Sequence, residues 1–354
     1  MIDVDFSLAI HNRTGKYFIG RDIIADNTAL IATVLYGRMP RAALPDYLTG
    51  RLAGRLLKLE LERRAAGKRG LPRVRRTNPV LHMDPLTALN YHVSPCDIVI
   101  VHDVGPVTHP DLFPADVTAL YQGAYDHIVA SRPLLVFVSE ASRTAFGHLY
   151  RFDGQTCVIY PQIRAELKSA VTPVSAVTTP FLLTVGSIGA RKGQAASIAG
   201  YARSGLHQRG VSYVICGGPE EPGHAAAVAA ARTTPGVIHL PYVSDGELSW
   251  LYRNATGFVL ASRLEGFGVP VAEAISYGLM PAVTADSVLE EVAGPDAIVF
   301  DGDNEQAIGD AMVRLVDMSD EERARRLQGM TARIGSFSPE VFAHRWAALL
   351  ATRA

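Results

Sequence analysis

The second half of the chain alternates short, continuous apolar runs with segments that have helical spacing. Parallel sheets are covered on both faces, so their strands read as unbroken apolar runs rather than as alternating patterns. Strands that alternate with helices predict βαβ units, and hence an α/β fold with a doubly wound, mostly parallel sheet. The candidate strands are Phe181–Val185, Tyr213–Cys216, Val237–Leu240, Gly257–Leu260, Ala282–Thr284 and Ile298–Phe300, and the candidate helices are Ala195–Ala202, Glu221–Arg232, Glu247–Asn254 and Pro270–Tyr277.

The first half shows the same alternation less regularly. It predicts strands at Phe6–Ala9, Asp97–Val101, Leu134–Val138 and Cys157–Tyr160, and helices at Ile23–Tyr36 and Val117–Ala130. The stretch between the halves, 161–180, is rich in Pro, Ser and Thr and predicts a linker. We therefore expect an N-terminal domain over 1–170, a C-terminal domain over 171–335, and a final helical segment, 336–354, that packs back toward the first domain.

Composition excludes several classes of protein. The chain has 354 residues and a net charge of -1, which argues against a disordered chain and against a nucleic-acid binder. No apolar run reaches the roughly 18 residues of a membrane span, and the acidic N-terminus does not resemble a signal peptide. The 3 cysteines are far apart and predict neither a disulfide framework nor a metal site. These features favour a cytoplasmic location.

In an open α/β sheet, ligands bind beyond the carboxyl ends of the strands, so the loops there are the candidate sites. The loop after Phe181–Val185 runs from Gly186 to Gly193 and places two cations, Arg191 and Lys192, at the start of a helix. Cations are disfavoured at that end of a helix unless an anion lies between them. A flexible turn with two solvated bases is the alternative. The loop at Gly217, after the next strand, is equally well explained as a plain turn.

The segment Ser262–Ala274, after the strand Gly257–Leu260, is the most informative. Pro270 suits the first helical position, which would leave the N–H groups of Val271 and Ala272 free to bind an anion. Glu265 and Glu273 flank this point, and a carboxylate can hold vicinal hydroxyls. The pattern favours a ligand with a diphosphate centre and a sugar at each end. The alternative is that Glu273 only complements the helix dipole and that Glu265 is solvated.

Two positions in the first half also follow predicted strands. His102 lies after Asp97–Val101, where it can hydrogen-bond a substrate, although a lone histidine more often has a structural role. Gly15 belongs to a polar loop that follows the first strand and precedes a helix.

Several of these motifs together resemble the retaining glycosyltransferases of family 4, which have the GT-B fold. Glu265 and Glu273, with seven residues between them, resemble the family's E-x7-E motif, and Gly186 with Arg191-Lys192 resembles its G-x4-RK loop. Further segments that resemble motifs of the family are 265–270 (EGFGVP), 287–292 (SVLEEV) and 337–338 (FS). Residues 242–248 resemble the family's segment that passes the nucleotide base. In the first half, 101–103 and 109–113 resemble a branch that is rich in mannosyl- and rhamnosyltransferases.

The resemblance implies two Rossmann-like domains facing an interdomain cleft, with a nucleotide-sugar donor on the second and no metal cofactor. It implies that Arg191 and Lys192 hold the diphosphate, that Glu273 binds the ribose and that Glu265 binds the donor sugar. Arg191, Lys192, Glu265 and His102, which approaches the sugar from the first domain, are the candidate catalytic residues. The remaining candidate donor-binding positions are Gly15, Gly186, Gly217, Val243, Phe267, Gly268 and Val269.

The expected activity is transfer of a sugar, with retention of configuration, to a saccharide or lipid-linked saccharide in the synthesis of a surface polysaccharide or glycolipid. The resemblance of the first half favours GDP-mannose as donor, with UDP-glucose close behind. The alternatives are another GT-B chemistry, such as a nucleotide-sugar hydrolase or epimerase, and a non-catalytic basic module that binds membrane or nucleic acid.

The alternative of a basic module rests on residues 48–76. Residues 51–76 contain ten Lys and Arg residues against two acidic residues. Leu48, Leu52, Leu56 and Leu59 recur there at helical spacing, which is typical of a basic amphipathic helix at a membrane surface. An ordinary core-facing helix with a solvated basic edge is the other interpretation. Membrane binding would place the protein at the inner face of the cytoplasmic membrane.

Overall fold

The structure is a computed structural model that describes residues 1–10, 15–37, 39–40, 47–65, 68, 70–164, 167, 170–178, 180–219 and 221–354, without the side chains of 47–51, 53 and 65. Contacts between residues divide the chain into two compact units. Unit 1 comprises Met1–Gln162 and Glu340–Ala354, and unit 2 comprises Ile163–Pro339. The division falls after Gln162, ahead of the boundary at residue 170 that the sequence suggests.

Unit 1 contains seven strands and the helices that connect them. Its strands are β1 (Ile2–Asp5), β2 (Ile31–Tyr36), β3 (Met39–Pro40), β4 (Val80–His82), β5 (Ile98–Val101), β6 (Leu134–Phe137) and β7 (Thr156–Val158). Its helices are α1 (Gly15–Asp26), α2 (Tyr47–Ala65), α3 (Pro85–Ala88), α4 (Gly105–Thr108), α5 (Ala115–Ser131) and α6 (Glu140–Leu149), with short 3-10 helices at Ser7–Ile10 and Pro110–Leu112.

The sheet of unit 1 has the order β3-β2-β1-β4-β5-β6-β7, and every neighbouring pair is parallel except β2 and β3. Strands β5 and β6 are buried along their whole length, as the apolar runs predict. The chain leaves β1 toward β2 on one side and later reaches β4 on the other. The gap at the carboxyl ends of β1 and β4 is therefore a topological switch point, where open α/β sheets bind ligands.

Two predictions for the first 40 residues are wrong. The first strand is Ile2–Asp5, while the predicted strand Phe6–Ala9 mostly forms a 3-10 helix. The predicted helix Ile23–Tyr36 covers the end of α1 and all of β2, whose β-branched residues favour the extended conformation. Two acidic residues interrupt the apolar pattern of the first strand, so the sequence does not predict it. The groups that pair with them lie far along the chain. Asp3 pairs with Arg76 at 2.7 Å, and Asp5 accepts a 2.6 Å hydrogen bond from the Tyr91 hydroxyl.

Unit 2 contains a second sheet of six strands. They are β8 (Phe181–Val185), β9 (Ser212–Cys216), β10 (Val237–Leu240), β11 (Gly257–Leu260), β12 (Pro281–Thr284) and β13 (Ile298–Phe300). The helices are α7 (Gln194–Ser204), α8 (His224–Thr233), α9 (Asp245–Asn254), α10 (Val269–Ser276), α11 (Val288–Ala293), α12 (Glu305–Asp317) and α13 (Asp320–Ile334), with 3-10 helices at Ala190–Lys192, His207–Arg209 and Gly335–Phe337.

The order of this sheet is β10-β9-β8-β11-β12-β13, with all pairs parallel. All six predicted strands of the second half are present, because each is apolar along nearly its whole length. The switch point of unit 2 lies between β8 and β11. The two loops singled out in the sequence, after Val185 and after Leu260, thus start from adjacent strands.

The predicted linker, 161–180, is not a free connection. Leu167, Val174 and Val177 are buried within it, and its described residues from Ile163 onward belong to unit 2. The last helix, α14 (Pro339–Ala351), belongs to unit 1 by its contacts. Beyond the end of that helix, Arg353 donates a 3.0 Å hydrogen bond to the carbonyl of Pro95.

Helix α2 differs from a core-facing amphipathic helix. Leu52, Leu56 and Leu59 are each more than half exposed, whereas Leu57, on another side of the helix, is buried. The core-facing interpretation of the leucine repeat is therefore wrong for these three positions. The side chains of Leu48 and Arg51 lie outside the described residues.

Within the described ranges, none of the helices combines the length and the apolar character that crossing a membrane requires.

Two glycines connect the carboxyl ends of β8, β9 and β10. The Gly186 N–H donates to the Cys216 carbonyl at 2.9 Å, and the Gly217 N–H donates to the Leu240 carbonyl at 2.9 Å. A Cβ on Gly217 would overlap the carbonyl oxygen of Gly186, and the φ of Gly217 is 150°. Packing of the two backbones therefore explains why position 217 is a glycine.

We expect Gly217→Ala to lower the free energy of unfolding by about 1–3 kcal/mol, because the added methyl group forces two backbones apart. Gly147→Ala is the matched control. Gly147 lies in α6, and a Cβ there meets no atom within 4 Å, so alanine is expected to be neutral or stabilising. Urea unfolding followed by circular dichroism measures both. Equal stability of the two variants would contradict the packing argument.

Candidate functional site

A cluster of charged groups lies at the switch point of unit 2. Lys192 follows β8, and its ammonium lies 2.5 Å from the Glu265 carboxylate, which follows β11. The Ser262 hydroxyl donates to the same carboxylate oxygen at 2.8 Å. Burial disfavours the charged form of Glu265, but Lys192 and Arg191 outweigh it and hold the pKa of Glu265 below its usual value. At neutral pH the site therefore contains an ionised, buried carboxylate.

Arg191, the second predicted cation, is also paired in this structure. Its Nε donates to Glu221 at 3.0 Å, and its terminal nitrogen NH2 donates to the other oxygen of the same carboxylate. The Ser187 hydroxyl donates to Glu221 at 2.6 Å, and Arg191 also donates to the Leu264 carbonyl at 2.9 Å. The guanidinium thus bridges the loops that follow β8, β9 and β11.

Glu273, the predicted ribose ligand, is almost completely buried, at 1% exposure. Its Oε1 accepts a 2.7 Å hydrogen bond from Arg164, and its Oε2 accepts a 2.9 Å bond from the Tyr252 hydroxyl. Although burial opposes the charged form, the Glu273 carboxylate raises the pKa of Arg164. Glu273 is therefore held in a buried ion pair and does not act only as a complement to the helix dipole.

The N-terminus of α10 differs in detail from the prediction. Gly268 precedes the helix with φ 92°, and Pro270 is its second residue rather than its first. The Val271 N–H, expected to be free for an anion, donates to the Gly268 carbonyl at 2.9 Å. Phe267 is buried edge-on against Phe337, with ring centroids 5.0 Å apart. The Val271 N–H is therefore not free for an anion at this turn.

The remaining predicted positions lie in different surroundings. Gly186 follows β8, with Lys192 as the nearest side chain, 3.9 Å from a Cβ placed on the glycine. Gly217 has the packing role described above. Val243 is half-buried in the loop before α9, which begins with a capping box formed by Ser244 and Glu247.

Two predicted residues belong to unit 1. His102 is buried after β5, and its Nε2 lies 2.9 Å from the Met83 carbonyl. That nitrogen must be the donor, because a carbonyl oxygen only accepts. Burial lowers the pKa of His102 to about 4, so the ring is neutral at physiological pH and presents Nδ1 as an acceptor. Gly15 is exposed at the start of α1, and a Cβ there meets none of the described atoms within 4 Å.

Sequence reasoning missed three residues of the cluster in unit 2. Glu221 was assigned to a helix, but α8 begins at His224 and leaves Glu221 in the loop. Arg164 lies in the predicted linker, and Tyr252 lies in α9. Their roles arise from tertiary pairing, which no spacing in the sequence records.

Comparison with known proteins agrees with this geometry. Residues 171–329 match the family model described as "Glycosyl transferases group 1". This matched segment, less than half of the chain, is similar to a glycosyl transferases group 1 domain. The match contains both switch-point loops of unit 2 and the pairs that Glu265 makes with Lys192 and Arg191. The enzyme class predicted from the sequence, a glycosyltransferase, is supported by this domain.

A curated relative is the O-antigen chain mannosyltransferase B of Escherichia coli. It is 26% identical over 223 residues, which is 60% of this chain and 58% of the relative. The match thus spans less than two thirds of that relative's length.

Solved structures agree with the GT-B fold that the sequence predicts. Sucrose-phosphate synthase from Thermosynechococcus elongatus superposes with a TM-score of 0.71 at 16% identity, covering 99% of this chain and 98% of that one. Anabaena HepE in complex with UDP and glucose gives 0.68 at 14% identity, covering 99% of both chains. A trehalose-phosphate synthase from Burkholderia xenovorans gives 0.62 at 13% identity, covering 85% and 78%. At these identities the likeness establishes the fold, and the fold class is confirmed.

The pairing of Arg191 with Glu221 generates a prediction about anion binding. We expect Glu221→Gln to tighten the binding of inorganic pyrophosphate by about three- to tenfold, because the guanidinium loses its nearer competing carboxylate while Glu265 stays 3.5 Å away. Isothermal titration calorimetry measures the affinity. Glu305→Gln is the matched control, since Glu305 pairs with Arg203 at 3.0 Å elsewhere in unit 2. Unchanged or weaker binding in Glu221→Gln would show that Glu221 does not compete with the anion.

Proposed function

We propose that this chain is a retaining glycosyltransferase that moves a sugar from a nucleoside diphosphate donor to a saccharide or lipid-linked saccharide acceptor. GDP-mannose is the favoured donor, and the product belongs to a surface polysaccharide or glycolipid. The observation that carries the proposal is the convergence of Arg191, Lys192 and Glu265 at one switch point, inside a glycosyl transferases group 1 domain.

The chemistry of this cluster suits departure of a diphosphate. When the bond between sugar and diphosphate breaks, negative charge grows on the leaving group, and fixed cations stabilise it. Arg191 and Lys192 are held in place by Glu221 and Glu265, so little reorganisation is needed during the reaction. We propose that these two cations supply the charge that a metal ion would otherwise provide and that no metal is required.

The two carboxylates have separate proposed roles. Glu265, at the carboxyl end of β11, accepts hydrogen bonds from donor-sugar hydroxyls, while Glu273, in α10, binds the ribose. Because both oxygens of Glu273 already accept hydrogen bonds, a ribose that binds there must share the carboxylate with Arg164 or displace it. The binding of donor therefore acts on Arg164.

The identity of the donor rests on similarity. The relative from Escherichia coli is named for mannosyl transfer, which supports mannose as the sugar. HepE was solved with UDP and glucose, which keeps UDP-glucose as the second candidate.

A thermal-shift panel of GDP-mannose, UDP-glucose and dTDP-rhamnose, all in EDTA, tests the donor site. We expect GDP-mannose to raise the melting temperature of the wild type and to do so much less in Glu273→Gln, because the amide has lost the charged acceptor. We expect the shift to persist in EDTA, because Arg191 and Lys192, rather than a metal ion, are proposed to bind the diphosphate. Glu305→Gln is the control for loss of an unrelated ion pair. No shift with any donor would overturn the proposal. A shift only with UDP-glucose would change the proposed donor from GDP-mannose to UDP-glucose.

Transfer assays separate the alternative chemistries. A hydrolase releases free mannose from GDP-mannose at the same rate with or without a saccharide, and an epimerase converts the donor sugar while the nucleotide stays attached. The proposed transferase consumes donor faster when a saccharide acceptor is added.

We also propose that the protein attaches peripherally to an anionic membrane surface through α2. The support is the exposure of Leu52, Leu56 and Leu59 on a helix that also carries the exposed bases Arg55 and Lys58. Apolar side chains that insert at the headgroup boundary, together with attraction of basic residues to anionic lipids, are the two contributions to such binding.

We expect replacement of all three leucines by serine to reduce cosedimentation with vesicles of phosphatidylcholine and phosphatidylglycerol about tenfold or more, because the inserted apolar area is lost. Leu149→Ser, at an exposed leucine of α6, is the control. Equal binding by wild type and triple variant, or no binding by the wild type, would exclude α2 as an anchor.

A further inference from the structure

Arg164 lies between two carboxylates of unit 2 that differ in exposure. Its Nε donates to Oε1 of Glu273 at 2.7 Å, and its terminal nitrogen Nη1 lies 3.8 Å from Oδ1 of Asp245. The side chain of Glu273 is 1% exposed, whereas that of Asp245 is 72% exposed. Because 3.8 Å is too long for a hydrogen bond, the guanidinium is bound to the buried carboxylate and has an exposed one within reach.

The other partner of Glu273 is fixed more firmly than the arginine. The Tyr252 hydroxyl donates to Oε2 of Glu273 at 2.9 Å, and this tyrosine is completely buried. Its ring stacks on Tyr277, with ring centroids 5.2 Å apart and an angle of 19° between the planes. The Arg164 side chain, by contrast, is 23% exposed. A ligand that arrives from solvent therefore reaches Glu273 by moving the arginine, while the tyrosine continues to orient the carboxylate.

The arginine side chain can move without its backbone. Next to it, the Ile163 N–H donates to the Phe337 carbonyl at 3.0 Å, which anchors the chain there independently of the guanidinium. Rotation of the side chain toward Asp245 exchanges a buried ion pair for an exposed one. An exposed pair contributes little by itself, so the arginine stays on Glu273 until another donor of hydrogen bonds compensates that carboxylate.

We propose that Arg164 determines the selectivity for ribose: it leaves Glu273 for Asp245 when the two ribose hydroxyls of the donor bind, and it excludes nucleotides that lack them. This assignment rests on the proposed role of Glu273 as the ribose ligand. A buried carboxylate that loses its cation is left with an uncompensated charge. Two hydroxyls compensate that charge by donating hydrogen bonds to it, which a sugar without them cannot do. Arg164 is therefore a competitor that only a vicinal diol displaces.

Isothermal titration calorimetry tests the exchange with GDP and with dideoxy-GDP, which lacks both ribose hydroxyls; UDP and dideoxy-UDP are measured in parallel. The quantity compared is the hydroxyl preference, which is the dissociation constant of the dideoxy nucleotide divided by that of its parent. We expect a preference of about tenfold or more in the wild type. We expect most of it to be lost in Glu273→Gln, because the hydroxyls then lack a charged acceptor.

Two variants are expected to change this preference in opposite directions. Arg164→Met removes the competing cation and keeps the apolar stem, so the parent nucleotide binds about three- to tenfold more tightly and the preference rises. Asp245→Asn removes the charge that receives the guanidinium, so the parent nucleotide binds about three- to tenfold more weakly and the preference falls. Dideoxy nucleotides leave Arg164 in place, so Asp245→Asn does not change their affinity.

Each variant has a matched control in unit 2. Arg203→Met removes an exposed arginine that pairs with Glu305 at 3.0 Å. Asp320→Asn changes the first residue of α13, which follows a serine cap as Asp245 does in α9. Both controls are expected to keep the hydroxyl preference of the wild type. Asp245 is exposed, so its variant tests the exchange even if Arg164→Met does not fold.

The results separate this assignment from the proposed function. Absence of nucleotide binding by the wild type overturns both. Equal binding of parent and dideoxy nucleotides by the wild type overturns the ribose role of Glu273 and the exchange with it. A preference that is lost in Glu273→Gln, but is unchanged in Arg164→Met and Asp245→Asn, supports the ribose role and overturns the exchange. A fall of the preference in Arg164→Met also overturns it, because an arginine that only orients the carboxylate predicts that result.

Discussion

In each sheet, strands lie on both sides of the first strand in the chain, which creates a topological switch point at its carboxyl end. A lysine side chain and a carboxylate form an ion pair at that point. In unit 1 the pair is Lys16 and Asp84, 68 residues apart along the chain. In unit 2 it is Lys192 and Glu265, 73 residues apart. The connections of the two strands leave the sheet in opposite directions at this point, so the order of the strands decides which distant residues become partners. The other contacts of both clusters, from Tyr121 and from Ser262, are arranged around these pairs.

Charge compensation is the second common feature. Every ionised group that the sequence assigns to the donor has an opposite charge within hydrogen-bonding distance: Arg191 has Glu221, Lys192 has Glu265 and Glu273 has Arg164. Buried charges require such partners, because desolvation of an isolated ion is costly. The partners also fix the side chains, so the cations and carboxylates are oriented before any ligand arrives.

The second sheet could be predicted because its strands are apolar on both faces. The loops with Arg191, Lys192 and Glu265 could be predicted because they follow those strands. The strand β1 could not, since Asp3 and Asp5 interrupt its apolar pattern and are satisfied by Arg76 and Tyr91 far along the chain.

The partners within the sites could not be predicted either. Glu221, Arg164 and Tyr252 have no spacing that relates them to the residues they contact, and Glu221 reads as the start of a helix. The exposed leucines of α2 were ambiguous for a related reason. Periodicity shows that Leu52, Leu56 and Leu59 share a face, but it does not show whether that face meets the core or the solvent.

The bond between Arg191 and Glu221 has a consequence for how fast ligands arrive. Among the described residues of the unit 2 switch point, the cations Arg191 and Lys192 and the anions Glu221 and Glu265 sum to zero charge, so the field of this cluster decays over a short distance. Electrostatic steering of an anion from bulk water needs a net positive patch, and its effect is screened beyond about 8 Å at physiological ionic strength. Encounter with a nucleotide sugar is therefore governed by ordinary diffusion, and its rate constant should vary little with salt. Free phosphate ions gain no kinetic advantage at a site of this kind.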